Sequence, residues 1–196
     1  MGKRVAKIER KTKETTVKLE LNLDGSGITD INSGIGFLDH MLDLWSFHGM
    51  FDLKLKCDGD LEIDTHHTTE DIALALGSAL IDAVGEKKKI FRYGHSYVPM
   101  DETLIRASLD FSGRPEFVFQ GEFTQPTIGC LDTQMISHFF KSLANSSKMN
   151  LHLAILYGKN DHHKCEGMFK AVGRALRIAL ELDSRRKDIV STKGIL

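Results

Sequence analysis

The stretch DTHHTTED (64–71) sets two adjacent histidines, His66 and His67, ahead of Glu70. The stretch DHHKCEG (161–167) repeats the arrangement with His162, His163 and Glu166 at the same relative positions. A long-period repeat of this kind marks a duplicated structural unit, so the flanks of the two stretches should run in parallel. They do. An alternating strand comes first in each half, VKLELNLDGSG (17–27) and LIRASLDFSGR (104–114). Val17, Leu19, Leu21 and Leu23 alternate with polar residues, as in a strand with one face on a core. Helical segments follow, GFLDHMLDLWSFHG (36–49) and LDTQMISHFFKSLANS (131–146), with His40 and His138 at matching places. Second alternating strands come next, FDLKLKCDGDLEID (51–64) and NLHLAILYGKND (150–161). The His pairs then open apolar helices, TEDIALALGSALIDAVG (69–85) and KCEGMFKAVGRALRIALEL (164–182).

The spacing of Ile72, Leu76, Ala79, Leu80 and Ala83 predicts one buried helix face, and Met168, Val172, Ala175, Leu176 and Ala179 predict another. Gly85 suits the end of the first of these helices. Thr65 and Asp161 are the expected N-caps, which places each His pair in a first helical turn. The halves divide near residue 90, where GEKKKIFRYG reads as an exposed connection, giving half-domains 1–90 and 91–196. The economical architecture gathers the helices of both halves in the middle, with a sheet on each outer face.

Composition narrows the function. The chain has 196 residues, 41% apolar and 27% charged, with 26 basic against 27 acidic side chains. That balance argues against nucleic acid or an anionic membrane surface as the main partner. No apolar run approaches a membrane span, and MGKRVAKIERK lacks the apolar core of a signal peptide. Ala6 stands where a myristoylation pattern wants Ser or Thr. Cys57, Cys130 and Cys165 are odd in number and scattered, so they read as free thiols in a reducing, cytoplasmic compartment.

On a helix, residues four apart share a face, whereas adjacent ones point about 100° apart. His66 and Glu70 can therefore close on one metal ion while His67 points elsewhere. His162, Glu166 and His163 are related in the same way. With His40 and His138 the two repeats supply eight ligands, or two sets of three imidazoles and one carboxylate. Pseudo-two-fold symmetry pairs His66, Glu70, His138 and His163 in one set, and His162, Glu166, His40 and His67 in the other. A shell of imidazole and carboxylate without thiolate suits Mn, Fe or Zn. On an octahedral ion four protein ligands leave open positions, which favours catalysis over a closed structural site. Cys165 is replaced by Thr69 in the first unit and reads as a bystander. His48, His95 and His152 stand alone and read as surface or satisfied core residues.

Arg92, Arg114, Lys170, Ser191 and Lys193 lie in turn-like or helical settings. Lys170 follows Glu166 by one helical turn and so shares its face. An ammonium there suits an anionic substrate group, and Arg offers forked donors to phosphate.

GIGFLDHML, HHTTEDIALALG, RYGHSYVPMDE, SGRPEF, YGKNDHHKCEGMFKA and the terminal STKG occur in this order and resemble imidazoleglycerol-phosphate dehydratase, an enzyme of histidine biosynthesis. The resemblance runs from ERKTKET (9–15) to Leu196. It implies an α/β (α+β) fold of two similar half-domains, a four-helix layer sandwiched between two four-stranded mixed sheets. It implies a 24-subunit homo-oligomer with two Mn2+ ions, or another divalent transition metal, per active site at subunit interfaces. The ligands it implies are His40, His66, His67, Glu70, His138, His162, His163 and Glu166. The phosphate contacts it implies are Arg92, Arg114, Lys170, Ser191 and Lys193, and Glu14 and Asp101 match family active-site acids. Thr65 departs from the commoner Asp before the first His pair, and Leu44 stands where some members have Gln near the substrate.

The implied reaction is elimination of water from a phosphorylated imidazole substrate. Its two-nitrogen ring bridges two ions, and electron density in the ring expels the hydroxyl on the adjacent carbon, giving a diazafulvene-like intermediate. Proton loss from the next carbon gives an enol and then a ketone. Glu166, Glu70 and Glu14 are the candidate proton-transfer groups, with Glu166 read as base and Glu14 as acid. Two alternatives stand beside this reading. One is a dinuclear hydrolase of a phosphate ester, which would use a metal-activated water. The other is a non-enzymatic metal-binding helical bundle, against which the strand alternation argues.

Overall fold

The computed structural model of the chain describes residues 4–193; Met1–Lys3 and Gly194–Leu196, including the glycine that ends STKG, lie outside the described residues. The first half runs β1 (Val5–Lys11), β2 (Thr15–Asn22), β3 (Thr29–Asn32), α1 (Gly36–Gly49), β4 (Asp52–Gly59) and α2 (His66–Val84). The second half runs β5 (Tyr93–Met100), β6 (Thr103–Asp110), β7 (Glu116–Gln120), a small hairpin of β8 (Thr127–Ile128) and β9 (Leu131–Asp132), then α3 (Gln134–Ser147), β10 (Asn150–Tyr157) and α4 (Asp161–Leu180). The four-stranded sheets have the orders β1-β2-β4-β3 and β5-β6-β10-β7. In each, one edge strand, β3 or β7, runs parallel to its neighbour and the other pairs are antiparallel. Both sheets are therefore mixed and of one topology, with β8–β9 an insertion in the second half alone.

Alternation decides which sheet face turns inward. Val17, Leu19 and Leu21 of β2 lie opposite Cys57, Leu55 and Leu53 of β4, and all six are buried. In the second sheet Ile105, Ala107 and Leu109 face Ile155, Leu153 and Leu151. These rows pack on helices: α2 lies on β1 and β2, and α4 on β5 and β6. Across the middle, α2 meets α3 and α1 meets α4, so each helix pair joins the two halves. Aromatic side chains fill the second half's layer, where Phe169 lies 5.2 Å from Phe139 and 4.7 Å from Phe140 between ring centroids.

Glycines set the approach of both pairs. A Cβ on Gly77 would lie 2.6 Å from Ser146 Cβ and 2.9 Å from the Leu143 carbonyl of α3. One on Gly173 would run into the Trp45 carbonyl of α1. These two glycines hold matching places in the two repeats, so the duplication extends to the crossing points.

Two expectations need correction. Thr65 makes no side-chain cap, and Asp161 is the first residue of α4 rather than its cap. The capping carboxamide or carboxylate sits one residue earlier in each repeat. Asp64 Oδ1 accepts the His66 N–H at 2.7 Å, and Asn160 Oδ1 accepts those of His162 and His163 at 2.9 and 3.4 Å. A short Asx side chain reaches the N–H two residues on, which Thr65 is too close to do for the His66 amide. The connection near residue 90 is also less exposed than GEKKKIFRYG suggests. Ile90 and Arg92 are buried, and Lys88 and Ile90 bridge to Ile189 and Leu182, because the C-terminal segment returns across the connection. Gly85 does end α2, with φ 64°.

Candidate metal centre

Helical spacing and helix pairing build two matching clusters. On α2, His66 Nε2 lies 3.5 Å from Glu70 Oε2, and α3 brings His138 Nε2 to 3.5 Å from Glu70 Oε1. On α4, His162 Nε2 lies 3.2 Å from Glu166 Oε2, and α1 brings His40 Nε2 to 4.0 Å from the same oxygen. In each trio one candidate ligand atom per residue lies within 4.8 Å of the other two. Each expected set of four is thus assembled from one chain as a set of three.

The fourth members, His163 and His67, face other partners, as adjacency on a helix requires. His67 Nδ1 lies 2.9 Å from Asp60 Oδ2, and its Nε2 is 3.9 Å from Glu14 Oε1. His163 Nδ1 lies 2.8 Å from Glu102 Oε2, and its Nε2 is 3.8 Å from Asp101 Oδ2. Glu14 and Asp101 therefore sit beside the histidines outside the trios. Hydrogen bonding to Asp60 raises the His67 pKa, and hydrogen bonding to Glu102 raises that of His163. The backbone N–H of Asn160, then His163 and the N–H of Lys159, hold Glu102 far below the usual carboxylate range.

The two trios differ in charge. Burial pushes the Glu166 carboxyl up, but Lys170 and His162 beside it more than reverse this and hold it below its ordinary value. Lys170 Nζ donates to Glu166 Oε1 and lies 3.6 Å from Met100 Sδ. Leu74 holds the matching place in the first repeat, so Glu70 has no such ammonium.

The expected phosphate contacts fall into separate settings. Arg92 Nε and Nη2 donate to Asp110 at 2.6 and 2.9 Å, and Nη1 donates to the Val190 carbonyl at 2.6 Å. That last bond brings the 190–193 segment to Arg92, where the Lys193 N–H donates to Ser191 Oγ at 3.2 Å. Arg114 is exposed beyond β6, its N–H donating to Ser112 Oγ. Lys170 stays with Glu166. Leu44 packs partly buried against the core.

The residues fit a divalent transition metal. His138 Nε2 is buried and has no hydrogen-bond partner. A ring nitrogen so placed costs stability unless something satisfies it, and a cation held with His66 and Glu70 would do so. The donors are imidazole and carboxylate without sulfur. Cys165 is buried with its thiol held protonated by that burial, so it offers no thiolate. Among the described residues no helix is long and apolar enough to cross a membrane. Ten strands among the described residues exclude an all-helical bundle. Sequence reasoning missed Asp60, Glu102, Asp64 and Asn160; only the last two carried a signal, their shared place two residues before each His pair.

The chain is similar to known proteins over most of its length. A family model described as imidazoleglycerol-phosphate dehydratase matches residues 33–176. The imidazoleglycerol-phosphate dehydratase of Streptococcus mutans is 55% identical over 193 residues, 98% of this chain and 100% of that protein. The one of Hydrogenovibrio crunogenus is 54% identical over 194 residues, again 98% and 100%. The crystal structure of the Staphylococcus aureus dehydratase superposes with a TM-score of 0.83 at 36% identity, covering 91% of this chain and 99% of that one. That of the Pyrococcus furiosus protein in complex with (S)-C348 also gives 0.83, at 32% identity, covering 96% and 100%. Two matched histidine–glutamate clusters, a duplicated sheet-and-helix fold and full-length likeness lead to one conclusion: the chain belongs to the imidazoleglycerol-phosphate dehydratase family.

Proposed function

We propose that this chain catalyses the Mn2+-dependent loss of water from D-erythro-1-(imidazol-4-yl)glycerol 3-phosphate, giving 3-(imidazol-4-yl)-2-oxopropyl phosphate in histidine biosynthesis. The observation that carries the reading is the pair of trios, His66–Glu70–His138 and His162–Glu166–His40, built alike from the half-domains 1–90 and 91–196. His163 completes the first ligand set and His67 the second. Because both face away from the trios of their own chain, neighbouring copies supply them, in a cytoplasmic homo-oligomer read as a 24-mer. When bound, a divalent metal held by each set of imidazoles and carboxylate would supply Lewis acidity that favours the deprotonated form of the substrate's ring.

The chain's own groups then position the substrate and move protons. Arg92, Arg114, Lys170, Ser191 and Lys193 hold the phosphate, which fixes the reacting carbons. Asp110 locks the orientation of the Arg92 fork. Glu14, at the β1–β2 turn, gives its proton to the hydroxyl on the carbon next to the ring, which departs as water. Glu166, kept ionised by Lys170, takes the proton from the neighbouring carbon. The enol left behind loses its hydroxyl proton and gains one on the carbon next to the ring, giving the ketone. Glu70 and Asp101 are the remaining carboxylates able to carry protons at the site.

Stripping the protein with chelator and restoring Mn2+ tests the reading by ketone formation. Activity should vanish and return. Activity unaffected by chelation would contradict it, and phosphate release without ketone would favour a phosphate-ester hydrolase.

A further inference from the structure

Resting on the reading of His67 and His163 as metal ligands, we propose that Asp60 and Glu102 are positioning residues that hold these two imidazoles in the tautomer with the proton on Nδ1 and the Nε2 lone pair free. Both carboxylates meet Nδ1 at hydrogen-bond distance, 2.9 Å for Asp60 and 2.8 Å for Glu102. Both Nε2 atoms lie beyond that distance from the nearest acid, 3.9 Å for His67 and 3.8 Å for His163. A carboxylate accepts and cannot donate, so the ring proton must sit on the nitrogen it meets. A metal-ligating histidine is commonly oriented in this way through its other ring nitrogen.

Two further observations separate this role from ordinary packing. Asp60 Oδ1 is buried without a hydrogen-bond partner, although Oδ2 holds His67. Such an oxygen costs stability, so folding alone does not account for the residue. The two contacts also do not descend from the duplication. Asp60 is the residue after β4, whereas Gly158 follows β10; Glu102 precedes β6, whereas Glu14 precedes β2. The same Nδ1 contact is thus reached from two unrelated places in the fold, and what the places share is the histidine. Glu102 is itself anchored, its Oε1 accepting the N–H groups of Lys159 and Asn160 at 3.0 and 2.8 Å.

The test uses the full-length protein with Asp60→Ala and, separately, Glu102→Ala. Mn2+ titration of the chelator-stripped parent should show high-affinity uptake. Each variant should lose about 10- to 100-fold in affinity at one class of site. Melting of the stripped Asp60→Ala protein should match the stripped parent. Histidine 15N spectra of the stripped parent should place the His67 and His163 protons on Nδ1, with Nε2-protonated forms appearing at the affected histidine in each variant. Parental affinity in both variants, or Nε2 protonation of these rings in the parent, overturns the positioning role. A parent that takes up no Mn2+ overturns the metal reading instead, and the spectra then decide the tautomer by themselves.

Discussion

At the residue scale, position along the helix separates the candidate ligands. His66 and His162 share a face with their glutamates and His67 and His163 do not, which spacing alone predicts. What spacing hid was the company of the outer pair. Asp60 comes from a loop and Glu102 from a turn, and no periodicity links either to a histidine. Replacing His138, whose Nε2 is buried and unpartnered, by alanine should weaken Mn2+ binding by at least about tenfold while leaving the melting of the stripped protein near the parent's. Calorimetric titration with Mn2+ reads this directly. Far from the site, Asp52 illustrates how a carboxylate holds a loop. Its Oδ1 accepts the N–H groups of Ser26 and Ile28, and its Oδ2 accepts from Asn22. Burial pushes the Asp52 carboxyl up, but these donors outweigh burial and its pKa is lowered. A lowered folded value means the stabilisation is full above the unfolded carboxyl range and is lost as pH falls through the folded value. Asp52→Ala should therefore cost about 1 kcal/mol at neutral pH, and denaturant melts should show the difference from the parent shrinking below about pH 4.

At the scale of elements, the helices and central strands were legible because each buries one face against a continuous core. GFLDHMLDLWSFHG coincides with α1, and the His pairs do open α2 and α4. The parallel edge strands β3 and β7 were not legible from pattern. β3 is four residues long and β7 five, and both alternate only between partial burial and exposure, so they carry little apolar contrast. The caps were displaced by one residue because Asp64 reaches past Thr65 to the His66 amide, while Asp161 already lies inside α4 and Asn160 caps it. The helix crossings, in contrast, are written in single glycines. Gly173→Ala places a methyl against the Trp45 carbonyl and should destabilise the chain by about 1–3 kcal/mol, despite alanine's better helix propensity. Thermal melts check this; an unchanged or raised midpoint would show that α1 and α4 can separate at no cost.

At the scale of the molecule, duplication explains why one chain holds two matching histidine–glutamate trios. Each repeat offers a two-ligand helix face, the facing repeat adds one histidine across the helix pair, and one histidine per repeat is left over. If neighbouring copies take up those histidines, metal and assembly are linked, since a ligand that binds the associated form stabilises it. Light scattering should then show a smaller mass after chelation and its recovery with Mn2+. A mass indifferent to chelation would mean that the ions do not bridge copies. If the proposed function holds, each histidine pair is divided between two ions. Mn-edge anomalous diffraction from metal-loaded crystals tests it most directly: His66, Glu70 and His138 should share one ion, His162, Glu166 and His40 the other, with His67 and His163 each on the ion that its neighbour in sequence does not touch. Density placing His66 and His67 on a single ion would contradict the account.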